Sequence, residues 1–206
     1  MMYPEDQEAT KVWDEYLFGE DLLVAPVSDE TEEREVYFPE GRWISLWNLK
    51  EEINGPVRIR VSVPIDKIPV YIREGSFLPL RLNESLKLGE SMSRSETGMI
   101  LAVVPQKDGT SEETLYERSG AETYCCVKRN EETIQIRISG RNAGPYLMIA
   151  GVNWKNSEII VNGRRLRVVA SRDGLYFTEG YVQKENGVLL KINPSAEFVI
   201  TMQKKK

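Results

Sequence analysis

The sequence predicts an all-β protein: two tandem antiparallel β-sandwich domains preceded by one short N-terminal helix. Three observations carry that expectation. Val57, Ile59, Val61 and Val63 alternate with Arg58, Arg60 and Ser62, the period-two pattern of a strand with one buried face. Asn162-Gly163 and Asn186-Gly187 each stand between apolar runs, and Asn-Gly is the pair best suited to a tight hairpin turn. Helical spacing occurs convincingly in only one stretch.

That stretch comes first. Pro4 suits a first helical turn, and the negative charges of Glu5, Asp6 and Glu8 favour a helix N-terminus. Ala9, Val12, Trp13 and Tyr16 then recur at helical spacing, which predicts one apolar stripe ended by Gly19. Strands follow. Residues 22–27 form an apolar run closed by Pro26, and Val36-Tyr37-Phe38 form another, stopped by Pro39-Glu40-Gly41 read as a turn. Residues 43–47 give the next strand, then the alternating segment. Residues 67–73 and 77–80 continue on either side of Glu74-Gly75, and residues 99–104 add one more.

The second half is a series of hairpin signals. Residues 115–127 and 133–138 are expected to pair across 128–132, with Ile134, Ile136 and Ile138 inward. Asn162-Gly163 joins 159–161 to 166–168, Asn186-Gly187 joins 181–182 to 188–192, Asp173-Gly174 is a third turn, and residues 198–202 close the set. The polar turn Lys107-Asp108-Gly109 is read as the domain boundary, giving segments 1–17, 18–106 and 107–206. The polar stretch 83–98 is read as a loop within the first domain.

Composition narrows the chemistry. The chain has 206 residues and no histidine, which removes a Ser-His-Asp triad, a Cys-His dyad and imidazole-ligated zinc. Cys125 and Cys126 are adjacent and read as two reduced thiols, which fits a cytoplasmic setting. The net charge of −5 is spread over mixed acids and bases, so no basic face points to nucleic acid; Lys204, Lys205 and Lys206 read as a solvated end. Apolar runs stop after about half a dozen residues, whereas a membrane helix needs roughly 20. The acidic, polar first residues do not resemble a secretory signal.

One run is specific. Trp13-Asp14-Glu15-Tyr16-Leu17-Phe18-Gly19-Glu20-Asp21-Leu22-Leu23-Val24-Ala25-Pro26-Val27 strongly resembles the segment joining barrel to β-domain in glycoside hydrolase family 31, the α-glucosidases and α-xylosidases. The likeness continues in order through Val36-Tyr37-Phe38-Pro39-Glu40-Gly41-Arg42-Trp43, with Trp47 as the following aromatic. It goes on through Ile65-Asp66-Lys67-Ile68-Pro69-Val70-Tyr71-Ile72-Arg73-Glu74-Gly75-Ser76-Phe77-Leu78-Pro79. It is strong over residues 3–79 and thin beyond, where Tyr116-Glu117-Arg118-Ser119-Gly120 stands in place of the family's acidic pair before a glycine.

The resemblance implies a retaining exo-α-glycosidase whose catalytic aspartates lie on a (β/α)₈ barrel, with no metal or cofactor. A barrel takes roughly 250 residues, so the barrel is absent here, and the family's nucleophile motif is absent with it. Residues 1–17 are then a remnant of the barrel's last helical segment, and 18–106 and 107–206 its proximal and distal β-domains. The expected role is a non-catalytic β-module bracing the barrel, whose substrate is an α-linked oligosaccharide. The stripe of Trp13 and Tyr16, without its partner, is expected to lie exposed in an apolar patch.

No catalytic residue is expected in this chain. Paired carboxylates are what glycosidase chemistry requires, and the adjacent pairs Asp14-Glu15, Glu20-Asp21, Asp29-Glu30 and Glu32-Glu33 all read as turn or surface acids. Trp43 and Trp47, four apart, would share a strand face. They are the sugar-stacking candidates of an alternative reading, a carbohydrate-binding module, as against packing. Tyr176, Phe177 and Tyr181 form a second aromatic group, and Arg73-Glu74-Gly75 reads as a structural turn.

Overall fold

The computed structural model describes residues 3–27, 33–62, 64, 66–81, 99–117, 119–140, 145–154, 157–193 and 197–204, apart from the side chain of Tyr176. Val63, Ile65 and the expected loop 83–98 lie outside them. The chain divides into two compact units, Met1–Glu74 and Gly75–Lys206.

The helix expected over 5–16 is a single 3-10 turn, Ala9–Lys11. Asp6 accepts the N–H groups of Glu8 and Ala9 at 3.0 Å, which starts the turn, while its other oxygen accepts the Tyr37 hydroxyl at 2.7 Å. Val12 is already extended, and Tyr16 begins strand β1 (Tyr16–Phe18), which pairs with β2 (Leu22–Val24) around Gly19. Cross-strand pairing overrides the helical spacing, a weak prior in a segment this short.

The rest of the first unit is β3 (Glu33–Ser45), β4 (Glu52–Ser62) and β5 (Val70–Arg73). With β1 and β2 they form one antiparallel sheet in the order β1-β2-β5-β3-β4. The turn expected at Pro39-Glu40-Gly41 is instead a β-bulge inside β3. Pairing passes from Phe38↔Val57 to Gly41↔Gly55, so Pro39 and Glu40 oppose Pro56 alone. Proline fits a bulge because the missing N–H falls where the ladder is interrupted. The fit is close, since a Cβ at Gly55 would overlap the Pro39 carbonyl oxygen. The alternation in β4 is as read: Val57, Ile59 and Val61 face the core that holds Leu23, Phe38, Trp43 and Tyr71, and Arg58 and Arg60 face out.

In the second unit, β6 (Phe77–Arg81) and β7 (Met99–Val103) form a hairpin. Then come β8 (Gly109–Tyr116), β9 (Glu122–Arg129), β10 (Thr133–Gly140), β11 (Tyr146–Ala150), β12 (Ser157–Val161) and β13 (Arg164–Arg165). After a four-residue helix α1 (Gly174–Phe177) the chain ends in β14 (Gly180–Lys184), β15 (Gly187–Lys191) and β16 (Glu197–Lys204). Two sheets result, β13-β12-β16-β10-β9-β8 and β14-β15-β11-β7-β6. Their inner faces share one apolar core through Phe77, Val103, Val127, Ile136, Leu147 and Phe198. This is a β-sandwich.

Three expectations change. The division falls at Glu74–Gly75, not at 106/107, because β6 and β7 belong to the second sandwich. The polar turn at Lys107-Asp108-Gly109 carries the chain from one sheet of that sandwich to the other. The first unit, among the described residues, is one sheet and not a sandwich. The sheets are also not wholly antiparallel, since β7 and β11 run parallel.

The hairpins come out close to the reading. Asn162 (φ 48°) and Gly163 (φ 80°) make the turn between β12 and β13, as a turn with two positive φ angles requires. At the next, Lys184 pairs with Gly187, so the turn centres on Glu185-Asn186, one residue earlier than expected.

Candidate functional site

Three exposed large aromatics lie close together in sequence at the start of the first unit. Strand β1 points Leu17 into the core and Tyr16 and Phe18 outward. These two aromatics are 52% and 68% exposed, and Trp13, just before them, is 88% exposed. Alternation places two large rings on one solvent face of a short edge strand, the kind of apolar surface that marks an interaction site.

The backbone beneath these rings is pinned by Arg34 of β3. Its guanidinium donates to the carbonyl oxygens of Asp14, at 2.9 Å, and of Pro26. It also pairs with the carboxylates of Asp14 at 3.0 Å and Glu15 at 3.4 Å. The Glu15 carboxylate accepts the Tyr37 N–H at 3.1 Å. The side chains of Arg34 and Glu15 are only 9% and 5% exposed, so this is an interior ion pair, beside a surface cleft of about 520 Å³. Burial pushes the Glu15 carboxyl up to about 7, against the lowering effects of the Tyr37 N–H and Arg34.

The other carboxylate pairs are dispersed. Glu20 is exposed and Asp21 half-buried beyond the β1–β2 turn, Glu33 faces Arg60 at 3.7 Å, and Asp29, Glu30 and Glu32 lie outside the described residues. Arg73-Glu74-Gly75 knits the sheet together. Arg73 N–H donates to the Asp21 carbonyl and Glu74 N–H to that of Arg42, both at 2.8 Å. The buried Arg42 guanidinium reaches Glu52 at 2.9 Å and Glu74 at 3.7 Å.

Trp43 and Trp47 do not share a face. Trp43 has no exposed surface, and its indole N–H donates to the Pro39 carbonyl at 2.9 Å, so it offers no ring to a sugar. Trp47 lies beyond the end of β3, half-buried, with its indole N–H on the Ile68 carbonyl and Lys67 over its ring at 5.8 Å. The second aromatic group is likewise split. Tyr181 is in the sandwich core with its hydroxyl on the Ser157 carbonyl at 2.9 Å, and Phe177 on α1 is 91% exposed.

Cys125 and Cys126 are free thiols, both buried. Burial pushes Cys125 up to about 12, which keeps it a neutral packing group at ordinary pH.

Sequence reasoning missed Arg34 and Arg42. Arg34 sits in Glu33-Arg34-Glu35 and reads as one more surface charge; no local signal distinguishes it.

The described residues thus form a nearly all-β module whose exposed aromatics flank an internal ion pair. Residues 1–78 match the Glycosyl hydrolase family 31 C-terminal domain. Curated relatives agree. An isomaltosyltransferase from Sporosarcina globispora is 34% identical over 96 residues, 46% of this chain and 9% of the relative. An α-glucosidase and an α-xylosidase from Saccharolobus solfataricus are 36% and 32% identical, over 43% and 58% of this chain but 12% and 16% of their own lengths. The match therefore spans less than a fifth of each of these relatives.

Two solved structures extend the likeness over 98% of the chain. A cycloalternan-forming enzyme from Listeria monocytogenes superposes with a TM-score of 0.85 at 24% identity, using 20% of that chain. A family 31 dextranase from Flavobacterium johnsoniae superposes with a TM-score of 0.76 at 25% identity, using 28% of that chain. The first shows the fold alone.

Proposed function

We propose that this chain is the non-catalytic C-terminal β-module of a retaining α-glucosidase-type glycoside hydrolase, bracing a catalytic (β/α)₈ barrel that acts on α-linked oligosaccharides. The observation that carries the reading is the exposure of Trp13, Tyr16 and Phe18 on a backbone that Arg34 holds fixed. Rigid aromatics facing solvent are costly to leave wet, at about 25 cal/mol per Å² of apolar surface. Seated against a barrel, they would recover that free energy. The two free, buried thiols fit a reducing, cytoplasmic setting as part of the same proposal.

The test is hydrolysis of a chromogenic α-glucoside and α-xyloside by the chain alone, by a separately expressed barrel of the same parent, and by the two mixed. No turnover from the chain, with a gain in activity or thermal stability of the barrel on mixing, is the expected result. The Trp13→Ala/Phe18→Ser double variant should abolish that gain. Turnover by the chain alone, or a gain indifferent to those substitutions, overturns the reading.

A further inference from the structure

We propose that Asp14, Glu15 and Arg34 form a proton-operated clasp, which holds the Trp13–Tyr16–Phe18 face in position and grips more tightly as the solution turns acid. The functional half of this inference rests on the docking role proposed for that face; the clasp itself is a property of this chain.

The geometry sets up a charge imbalance. Two consecutive carboxylates share one guanidinium, at 3.0 and 3.4 Å, and that guanidinium is also bound to three backbone carbonyls, those of Asp14, Pro26 and Glu35. Asp14 keeps contact with water, its side chain 40% exposed, while Glu15 is 5% exposed. The pair therefore divides the work: Asp14 meets Arg34 from the solvent side, and Glu15 is the interior member on which a proton relieves the surplus negative charge. A protonated Glu15 can still accept the Tyr37 N–H through its carbonyl oxygen.

The surrounding charges do not cancel this surplus. From β4, Arg58 approaches but is engaged outward with Glu35 at 3.4 Å and Glu8 at 3.8 Å. From β3, Tyr37 presents its N–H to Glu15 and sends its hydroxyl to Asp6. Burial, the largest influence on Glu15, places its carboxyl at about 7 against an ordinary 4.5. The sign follows from linkage. The closed clasp binds a proton more tightly than the open segment, so closure takes up a proton and strengthens as pH falls through 7. The gain is complete below the open-state value of 4.5 and absent well above 7.

The Tyr37 amide reports directly, because its proton points at the Glu15 carboxylate. In the full chain, a pH titration of its NMR chemical shift is expected to show a midpoint near 7. Its hydrogen-exchange protection factor is expected to rise at least about tenfold from pH 8 to pH 5.5. Glu15→Gln should flatten both profiles while the sandwich amides of the second unit stay unchanged. A wild-type midpoint in the ordinary carboxylate range, or a protection factor that is flat or falls in acid, overturns the clasp; so does an unchanged profile in Glu15→Gln. The wild-type titration decides alone if the variant does not fold. None of these readings involves a barrel, so failure of the clasp and failure of the docking role are separable.

Discussion

The two units solve the same problem with different materials. Among the described residues, the second builds its core from a cluster of twenty buried residues in and around two facing sheets, and the buried polar side chains there are the hydroxyls of Ser76, Thr123 and Ser157. The first, among the described residues, gathers eight of its twelve buried apolar residues into one cluster and adds directional contacts. Arg34 is bound to two carboxylates and three carbonyls, Arg42 to Glu52 and Glu74, and the Tyr71 hydroxyl to Glu51 at 3.0 Å. Apolar burial is non-directional and supplies stability, whereas ion pairs and hydrogen bonds fix angles and add little net free energy. The unit that exposes Trp13, Tyr16 and Phe18 is thus the one richer in ion-paired arginines.

The sharpest way to break this contrast is to damage each core by its own logic. Phe198→Ala, which empties a site 1% exposed in the sandwich, should cost about 3–5 kcal/mol in chemical denaturation. The loss should appear in the amides of the second unit. In the first unit, Arg42→Ala removes a buried cationic partner from Glu52 and Glu74, but both keep about a quarter of their side-chain surface in water, so a loss of about 2–3 kcal/mol is expected. Arg42→Met, which fills the same space, should lose less once Glu52 and Glu74 are also neutralised to Gln, because the pair orients more than it stabilises. At the bottom of the scale, Arg60→Ala removes an exposed partner of Glu33 and should change stability by no more than about 0.5 kcal/mol. A large loss there would mean that surface pairs, too, carry the first unit.

What the sequence disclosed follows the same line. Period-two alternation over Val57, Ile59 and Val61, and the Asn162-Gly163 turn, are local consequences of backbone geometry, and they appear where they were read. The family likeness over the first third of the chain was legible because its blocks are long and ordered. The failures are all non-local. Tyr16 has helical spacing with Val12 and Trp13 but is extended, because β2 pairs with β1. Trp43 and Trp47 looked equivalent until the strand ended between them. The unit boundary was misplaced because a polar turn looks alike whether it joins two domains or two sheets. The anchoring of Arg34 depends on Asp14 and Pro26, twenty and eight residues away, a closeness that no pattern within β3 reveals.

The parallel pairing of β7 with β11 has a consequence in time. Tyr146–Ala150 is buried at every position and aligns with residues 100–103, across more than forty residues of intervening chain. Between them lie β8, β9 and β10, whose contacts are hairpin-like and close quickly. The long-range parallel seam must wait for them, since its loop entropy is repaid only when the facing sheet gives it something to pack against. Until then β11 is an open, wholly apolar edge, the stretch of this chain most exposed to pairing with a neighbour. During synthesis the hairpin of β6 and β7 has already emerged as the waiting template, and the order of the strands along the chain guards this long-range seam.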